Sequence, residues 1–419
     1  MMISGIVVLL LLLPSRTLSQ TTHSGQPNQH AKCHTDDDAW PKLWLDVVLL
    51  IDNSAAQTQN NFDAMIAQID EIWKVGSGGP TVGQAKAKTR VAVVTFDTQA
   101  RIVADFDKQN SNTDLTNVLK GIRQTTSLTV DGSNALQTAG AIFATELRLN
   151  VPNVIIVYTA NWAGDGACQI AESVQENVVI IVVAFKNRNQ QTPQIPACIY
   201  SPGENYTATQ PNLKETLLES LSFVNCFCVG QDLSRNHVGS LRQKASRATH
   251  QVWDQFWLPR ADKKYYLRDK WAECVQESTT ASSNHDTALS ACHVNKNYLP
   301  NEFSLAKHQF LINAAEGQLT TQWIGLQYDP INKQWFWDNY NRTTNESDRI
   351  PASPGAYTYW NPNQPDLANN QYCVKEAPGT GSQSLRWTSA PCTGLQLAYH
   401  SQYLCQQNAC DALNYCSDY

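Results

Sequence analysis

The stretch WLDVVLLID, residues 44–52, is a continuous apolar run that ends in a carboxylate. Such a run, without polar alternation, is typical of a strand buried on both faces. Similar runs follow at TRVAVVTFD (89–97), NVIIVYTAN (153–161) and NVVIIVVAF (177–185). Segments with helical apolar spacing alternate with them, namely NFDAMIAQIDEIWKVG, TDLTNVLKGIRQ, NALQTAGAIFATELR and, after the last run, PNLKETLLESL. This alternation predicts an α/β doubly wound, mainly parallel sheet, whose ligands bind at the carboxyl ends of the strands.

The chain is long enough for two domains and is slightly acidic. It has 419 residues, whereas an ordinary domain has ~100–200. Hydrophobic residues make up 42% of the chain, which indicates packed domains rather than disorder. The net charge of −6 argues against a nucleic-acid partner, because such a partner requires a basic face.

The N-terminus, MMISGIVVLLLLLPSRTLSQ, has the pattern of a secretory signal peptide. Its apolar run at 6–13 is too short to span a bilayer, which takes ~20 residues. We expect cleavage near Ser19, so that 1–19 is the signal peptide and 20–43 an N-terminal segment. No second apolar run approaches spanning length, and the sequence therefore predicts a secreted protein without a membrane span.

Cysteines and glycosylation sequons agree with export. An even count of 12 cysteines is most simply read as six disulfides. A cysteine zinc site is not expected, because CFC at 226–228 is the one tight pair. Three Asn-x-Ser/Thr sequons are candidate glycan sites: Asn205, Asn341 and Asn345.

The first part of the chain, 44–225, resembles a von Willebrand factor type A domain. That family carries a metal-dependent adhesion site at the strand ends, with a first loop Asp-x-Ser-x-Ser. Here the loop reads DNSAA, so Asp52 and Ser54 match and Ala56 replaces the second Ser.

The two other loops of that site also depart from the family pattern. DGSNAL offers Ser133 as the nearest hydroxyl, and Ala160 stands where the third loop has an Asp. Divalent cations need about six oxygen ligands, and their affinity follows the number of charged ones. We therefore expect a degenerate site with magnesium or calcium disfavoured. The alternative is that Asp52 and Ser54 end a strand and cap the next helix.

The amino-acid composition changes at CFCVGQ. Periodic apolar runs end there, and the sequence that follows is rich in Trp, Asn, Gln, Gly, Pro and further cysteines. We interpret 226–270 as a connector leading into a second domain at 271–406, followed by a Cys-rich tail at 407–419. The motifs of the second domain resemble, in order and spacing, those of a C-type lectin-like domain. They are HDTALSACHVNKNYLP, EFSLAKHQFLINAA, QWIGLQYD, QWFWDN, YTYWNPNQPD, YCVK, RWTSAPC and SQYLC. The resemblance implies an α+β, disulfide-rich fold, and the whole arrangement resembles secreted nematode lectin-like proteins.

The resemblance also implies a disulfide pairing, although sequence alone does not fix connectivity. Two bridges and a third in an N-terminal hairpin carry over from the family: Cys292–Cys405, Cys373–Cys392 and Cys228–Cys274. The remaining cysteines are then expected to pair as Cys410–Cys416, Cys168–Cys198 and Cys33–Cys226.

The polar stretch NQPDLANNQYC, 363–373, lies where the lectin family has its sugar-binding long loop. In sugar-binding members a calcium ion bridges this loop to the sugar, and a Gln-Pro-Asp loop favours galactose-like geometry. Gln364, Pro365 and Asp366 have this form, and a cis proline is expected.

The other calcium ligands of the family are replaced by neutral residues. Gln371 stands in place of a Glu, and Thr388 and Ser389 stand in place of Asn and Asp. One carboxylate remains, so calcium-dependent sugar binding is disfavoured. Two interpretations stay open: a plain turn, or a calcium-independent polar pocket formed by Gln364, Asp366, Asn370, Gln371, Trp387 and Ser389.

Aromatic side chains could supply stacking surfaces for a sugar ring, with core packing as the alternative for each of them. The candidates are Trp335, Trp337, Trp360 and Trp387.

These patterns favour a secreted, non-enzymatic recognition protein that binds carbohydrate or protein ligands, with a role in innate defence or surface contact implied by the resemblance. The alternative is an extracellular adhesion or matrix protein that binds protein through the type A-like domain. The sequence does not support a hydrolase, because no Ser or Cys can be assigned as the nucleophile that pairs with a histidine. The scattered histidines are His250, His285, His293, His308 and His400. We name no catalytic residue, and the oligomeric state stays open.

Overall fold

The computed structural model describes residues 30, 32–145, 148, 151–228, 253–259, 268–276, 283–314, 321–341, 346–353, 355–379, 384–394 and 401–416. The expected signal peptide at 1–19 lies outside the described residues, as do 20–29 of the N-terminal segment and the stretch 229–252 of the connector. None of the described helices is long and apolar enough to cross a bilayer.

The N-terminal domain is built on a six-stranded sheet of order β3-β2-β1-β4-β5-β6. All neighbouring pairs are parallel except β2 and β3. The predicted doubly wound, mainly parallel sheet is confirmed, and all four predicted strands are present. The strands are β1 (Asp46–Asp52), β2 (Arg90–Phe96), β3 (Ala100–Ala104), β4 (Asn153–Thr159), β5 (Val178–Ala184) and β6 (Asn205–Thr207).

Five helices cover the two faces of this sheet: α1 (Gln59–Trp73), α2 (Asn112–Gly121), α3 (Gly132–Thr145), α4 (Ala167–Gln175) and α5 (Leu213–Asn225). The buried residues of α1, α2 and α5 form one core layer with one face of the sheet. Those of α3 and α4 form the second core layer on the other face. The strands are apolar throughout because both of their faces are covered.

Three elements of the N-terminal domain escaped the sequence analysis, and each is short or lies at an edge of the sheet. The middle of β3 is exposed and β6 has three residues, because both lie at the edges of the sheet. Helix α4 has nine residues and fully buries only Ala167 and Ala171, so it is short for a sequence pattern to reveal.

The C-terminal domain begins with an antiparallel hairpin and continues with two helices. The hairpin strands are β7 (Trp253–Pro259) and β8 (Arg268–Gln276), and the first of them falls within the expected connector. The helices are α6 (His285–Val294) and α7 (Leu305–Ala314).

The remaining strands of the C-terminal domain pair antiparallel, except for one short parallel strand. The main sheet has the order β11-β10-β9-β12-β13, with β14 parallel to β9, and β15 adds to β8 of the hairpin. The predicted α+β fold is confirmed. The strands are β9 (Gln322–Asp329), β10 (Gln334–Asn341), β11 (Glu346–Pro351), β12 (Cys373–Pro378), β13 (Leu385–Ala390), β14 (Gln402–Tyr403) and β15 (Gln406–Asn408).

A close backbone approach explains the glycine of the sequence WIGL in β9. A Cβ at Gly325 would lie 2.7 Å from the carbonyl oxygen of Leu299. The backbone N–H of Gly325 donates to the carbonyl oxygen of Pro300, so the chain before α7 lies directly against this strand. The position therefore accepts only glycine without a shift of the backbone.

Six disulfides stabilise the chain, and they join the same pairs that the sequence analysis expected. The pairs are Cys33–Cys226, Cys168–Cys198, Cys228–Cys274, Cys292–Cys405, Cys373–Cys392 and Cys410–Cys416.

The C-terminal segment 409–416, which we call the tail loop, returns to the N-terminal domain. The rings of Phe227 and Tyr415 pack edge-on against Trp44, with centroid distances of 5.4 and 4.6 Å. Ala412 of the tail loop joins the core layer that α1 and α5 form. The first and last described parts of the chain therefore meet at the base of the sheet, opposite the carboxyl ends of its strands.

Candidate ligand-binding sites

The first candidate site lies at the carboxyl end of β1. Asp52 is fully buried and both of its carboxylate oxygens accept hydrogen bonds: Oδ1 from the Ser54 N–H at 2.9 Å, and Oδ2 from the Thr159 hydroxyl and the Ala160 N–H, each at 3.0 Å. Burial raises the pKa of Asp52 above its usual range, although these donors oppose the rise. Asp52 thus ties β1 to the end of β4. Asp52 ends β1, as the alternative expected, but the helix cap in that alternative is wrong, because the side chain of Thr58 caps α1.

The other two residues of the degenerate site are also engaged within the chain. The Ser133 hydroxyl donates to the carbonyl oxygen of Asp165 at 2.9 Å, and the Ser54 hydroxyl accepts from the Ala56 N–H at 3.3 Å. One carboxylate with both oxygens already bonded, and two hydroxyls, do not match the oxygen set of a hard divalent cation. We assign no metal to Asp52, Ser54 and Ser133.

The second candidate site lies on the long loop between β11 and β12, where the Gln364–Pro365 peptide is cis as expected. The side-chain oxygen of Gln364 accepts hydrogen bonds from the Ser389 N–H at 2.9 Å and from the Ser389 hydroxyl at 2.6 Å. The backbone N–H of Asp366 reaches the Ser389 hydroxyl oxygen at 2.9 Å. These contacts pin the loop to β13 through neutral groups.

The exposed side of the same loop carries the remaining polar candidates. The carboxylate of Asp366 accepts from the Ala368 N–H at 2.9 Å and faces the Gln371 amide at 3.5 Å. Asp366 and Asn370 are exposed and Gln371 is half-buried. Gln364, Asp366, Gln371 and Ser389 therefore converge, but with one carboxylate and with Gln364 and Ser389 bonded to each other. This donor set does not match a calcium site, and a polar pocket remains.

The structure corrects two predicted ligand-binding residues. Ser389 is 2% exposed and its hydroxyl is bonded to Gln364, so it holds the loop and does not face a ligand. Trp387 is 1% exposed, and its indole N–H donates to the Glu302 carboxylate inside the core. Trp337 is also buried and packs edge-on against Trp387, with a centroid distance of 5.6 Å. Both tryptophans are core residues, because the sheet places their rings on its covered face.

Four half-buried aromatic residues, which we call the aromatic strip, form a continuous row beside the long loop. The ring centroids are 5.1 Å apart between Trp360 and Trp335, 5.2 Å between Trp335 and Tyr328, and 5.9 Å between Tyr328 and Tyr372. Trp360 precedes the Gln-Pro-Asp turn and Tyr372 follows Gln371, so the strip borders the exposed polar groups. Sequence analysis named the two tryptophans and missed the two tyrosines, which come together only through β9 and the loop.

The three candidate glycosylation sites differ in what the structure describes. Asn205 is exposed at the edge strand β6. Asn341 ends β10, but its side chain lies outside the described residues, and Asn345 lies outside them entirely.

Two family models match the chain. The von Willebrand factor type A domain model matches 46–221, and the Lectin C-type domain model matches 281–407. No curated protein matches the chain.

Several solved structures are similar to parts of the chain. One is proximal thread matrix protein 1 from the mussel byssus, at 17% identity and a TM-score of 0.39, covering 45% of this chain and 50% of that one. Herring type II antifreeze protein has 20% identity and a TM-score of 0.25, covering 33% and 91%. The carbohydrate-recognition domain of the mouse scavenger receptor C-type lectin has 16% identity and a TM-score of 0.24, covering 36% and 93%. The chain thus spans half the length of the mussel structure.

The matched ranges coincide with the two folds described above. The parallel sheet and its helices lie within the first range or at its edges, and α6, α7 and β9–β15 lie within the second range or at its end. The chain therefore contains a von Willebrand factor type A domain followed by a C-type lectin domain.

Proposed function

We propose that this chain is a secreted, non-enzymatic recognition protein whose lectin domain binds carbohydrate without a divalent cation. The observation that carries the proposal is the aromatic strip next to the exposed polar side of the long loop. Both matched domain families are typically non-catalytic, and ligand binding or adhesion is their common use.

The chemistry of the strip suits a sugar. The faces of aromatic rings stack on the apolar face of a sugar ring, and the polar edge of the sugar needs hydrogen-bond partners. Asp366, Asn370 and Gln371 offer acceptors and donors at that edge. Stacking and hydrogen bonding of this kind need no bridging ion.

Secretion and glycosylation belong to the same proposal. Six disulfides persist in oxidising compartments, which agrees with export. The exposed position of Asn205 is accessible to a glycosyltransferase. A secreted protein that binds surface glycans fits a role in innate defence.

A glycan array tests the proposal with the full chain, in the presence and absence of a calcium chelator. We expect binding that the chelator does not change and that Tyr328→Ala and Tyr372→Ala weaken about tenfold or more, or about 1.4 kcal/mol. Val294→Ala is the matched control, because Val294 is 81% exposed at the end of α6 and does not belong to the strip. No glycan binding under either condition would contradict the proposal.

A second candidate function is protein adhesion through the type A domain. Leu128 is 61% exposed, and its neighbour Ser127 accepts a hydrogen bond from the Ala55 N–H, so this leucine lies at the rim of the strand-end face. If a captured protein partner is lost in Leu128→Asp but retained in Tyr372→Ala, the adhesion or matrix function replaces the lectin function.

A further inference from the structure

Three ionisable side chains meet in the core of the lectin domain, away from the long loop. Glu302 precedes α7, His308 lies on α7, and Glu376 lies on β12. One ligand atom from each lies within 4.8 Å of the others. Both carboxylates are 0% exposed and the histidine is buried as well.

In this cluster a single imidazole ring stands against two buried carboxyl groups. Two carboxylates in an apolar core are costly unless they are paired or coordinate a cation. His308 Nδ1 lies 3.3 Å from Glu302 Oε2 and also contacts Glu376 Oε1. The neighbouring Lys307 is engaged elsewhere, since its ammonium group donates to Glu273 at 2.6 Å.

The two carboxylates are oriented in the same way. The Trp387 indole N–H donates to Oε2 of Glu302, and the Gln322 amide donates to Oε2 of Glu376. Within the described residues, Oε1 of Glu302 has no hydrogen-bond donor, whereas Oε1 of Glu376 contacts His308 Nδ1. Each carboxylate therefore has one oxygen held by a neutral donor. The second oxygen pairs with His308 in Glu376 and is left for another partner in Glu302. Carboxylates that bind metals are held in this way by surrounding donors.

A further buried polar group beside the cluster has no hydrogen-bond partner among the described residues. It is the Tyr357 hydroxyl. The Tyr357 ring packs edge-on against Trp387 with a centroid distance of 5.6 Å, and it lies near Tyr359, which contacts the His308 ring at 4.7 Å. The orphaned buried oxygens of the Glu302 carboxylate and the Tyr357 phenol point to a missing ligand at this place.

We propose that Glu302, His308 and Glu376 bind one structural divalent transition-metal ion, of the class of Zn²⁺. One imidazole nitrogen and two carboxylate oxygens suit such an ion, whereas calcium and magnesium prefer oxygen alone. In tetrahedral zinc sites the ligand atoms lie roughly 3.3 Å apart, and in this cluster they lie within 4.8 Å of one another. The ion would neutralise both carboxylates and join α7 to β12.

This site is distinct from the two family sites. It uses no cysteine, and it lies beneath Trp387 rather than on the long loop or at the strand ends of the type A domain. Its ion would stabilise the core that packs beneath β13 and the long loop, and it would not contact a ligand.

Elemental analysis of the full chain, secreted by cultured eukaryotic cells and purified without chelator, tests the proposal. We expect about one zinc per chain, and a fall to a small fraction of that in Glu302→Gln and Glu376→Gln. Glu273→Gln is the matched control, because it removes a buried carboxylate of the same domain that the cluster does not use. Asp52→Asn controls for metal in the type A domain.

A second measurement covers the case in which the cluster variants fail to fold. The wild-type chain is unfolded and refolded in the presence of a chelator, and zinc is then added to one half of the sample. The melting temperatures of the zinc-free and the zinc-treated protein are compared. We expect a rise on zinc addition, which glycan binding does not influence. Two results would overturn the proposal. One is a purified wild-type protein that contains no metal and whose melting temperature does not change when zinc is added. The other is a set of folded cluster variants that retain their zinc.

Discussion

The indole N–H of Trp44 donates a hydrogen bond to the backbone carbonyl of Asp411 at 2.9 Å. Trp44 lies two residues before β1 of the type A domain, and Asp411 lies in the tail loop that follows the lectin domain. The Asp411 carboxylate also accepts from His34 at 2.8 Å, close to the Cys33–Cys226 disulfide. These contacts bind the tail loop to the base of the type A domain.

Trp44→Ala should destabilise the chain strongly, by about 3–5 kcal/mol, because the ring is 1% exposed and fills the space between Phe227 and Tyr415. Urea denaturation followed by circular dichroism measures the change. Val75→Ala, at a residue 71% exposed, should leave the midpoint unchanged. A Trp44→Ala midpoint close to the wild type would show that the tail loop does not contribute to stability.

Gly325→Ala should cost about 1–3 kcal/mol, because the added Cβ would meet the Leu299 carbonyl oxygen at 2.7 Å. Gly121→Ala is the contrasting variant, since a Cβ there has nothing within 4 Å and the residue ends α2. That change should be neutral or stabilising. Thermal melting of both variants measures the difference, and equal effects would contradict the packing of Leu299 on β9.

We expect the protein to lose stability in acid because of the Glu273 carboxylate. Despite full burial, which opposes it, Lys307 and His30 lower the pKa of Glu273 to about 2. The folded-state pKa is then below the unfolded value of about 4.5, so the contribution is present above that pH and is lost as the pH falls toward 2.

Glu273→Gln should therefore cost about 3–5 kcal/mol near neutral pH, because it removes the carboxylate that pairs with the buried Lys307 ammonium group. The difference from wild type should shrink between about pH 4.5 and 2. Glu71→Gln, which breaks an exposed pair with Lys74, should change stability little at any pH. Chemical denaturation across the pH range distinguishes these outcomes, and a pH-independent difference would refute the pairing.

Restoring acidic groups on the long loop should restore a calcium response. The double variant Gln371→Glu with Ser389→Asp places two carboxylates beside Asp366, where the present contacts converge. With a Kd of ~10⁻⁴–10⁻³ M, typical of extracellular modules, 10 mM calcium should stabilise it by about 1.4–2.7 kcal/mol. The wild-type melting temperature should not respond to calcium. A wild-type response would show that the single carboxylate suffices.

The sequence by itself determined the elements that have a repeating pattern. The four apolar runs became β1, β2, β4 and β5, and the cysteine order was sufficient to anticipate all six bridges once the family resemblance was recognised. Strand and helix periods are local properties of the chain, and they can therefore be read without knowing the packing. The loss of acidic ligands around Asp52 and Asp366 was equally visible, because it needs only residue identities.

The tertiary structure decided which side chains meet. Trp387 looked like a ligand-binding residue and is a core residue, whereas Tyr328 and Tyr372 carried no signal and complete the aromatic strip. Glu302 and Glu376 are far apart in sequence and adjacent in the core. Such convergence depends on how α7 packs on β12, and packing between distant segments leaves no periodic trace in the sequence.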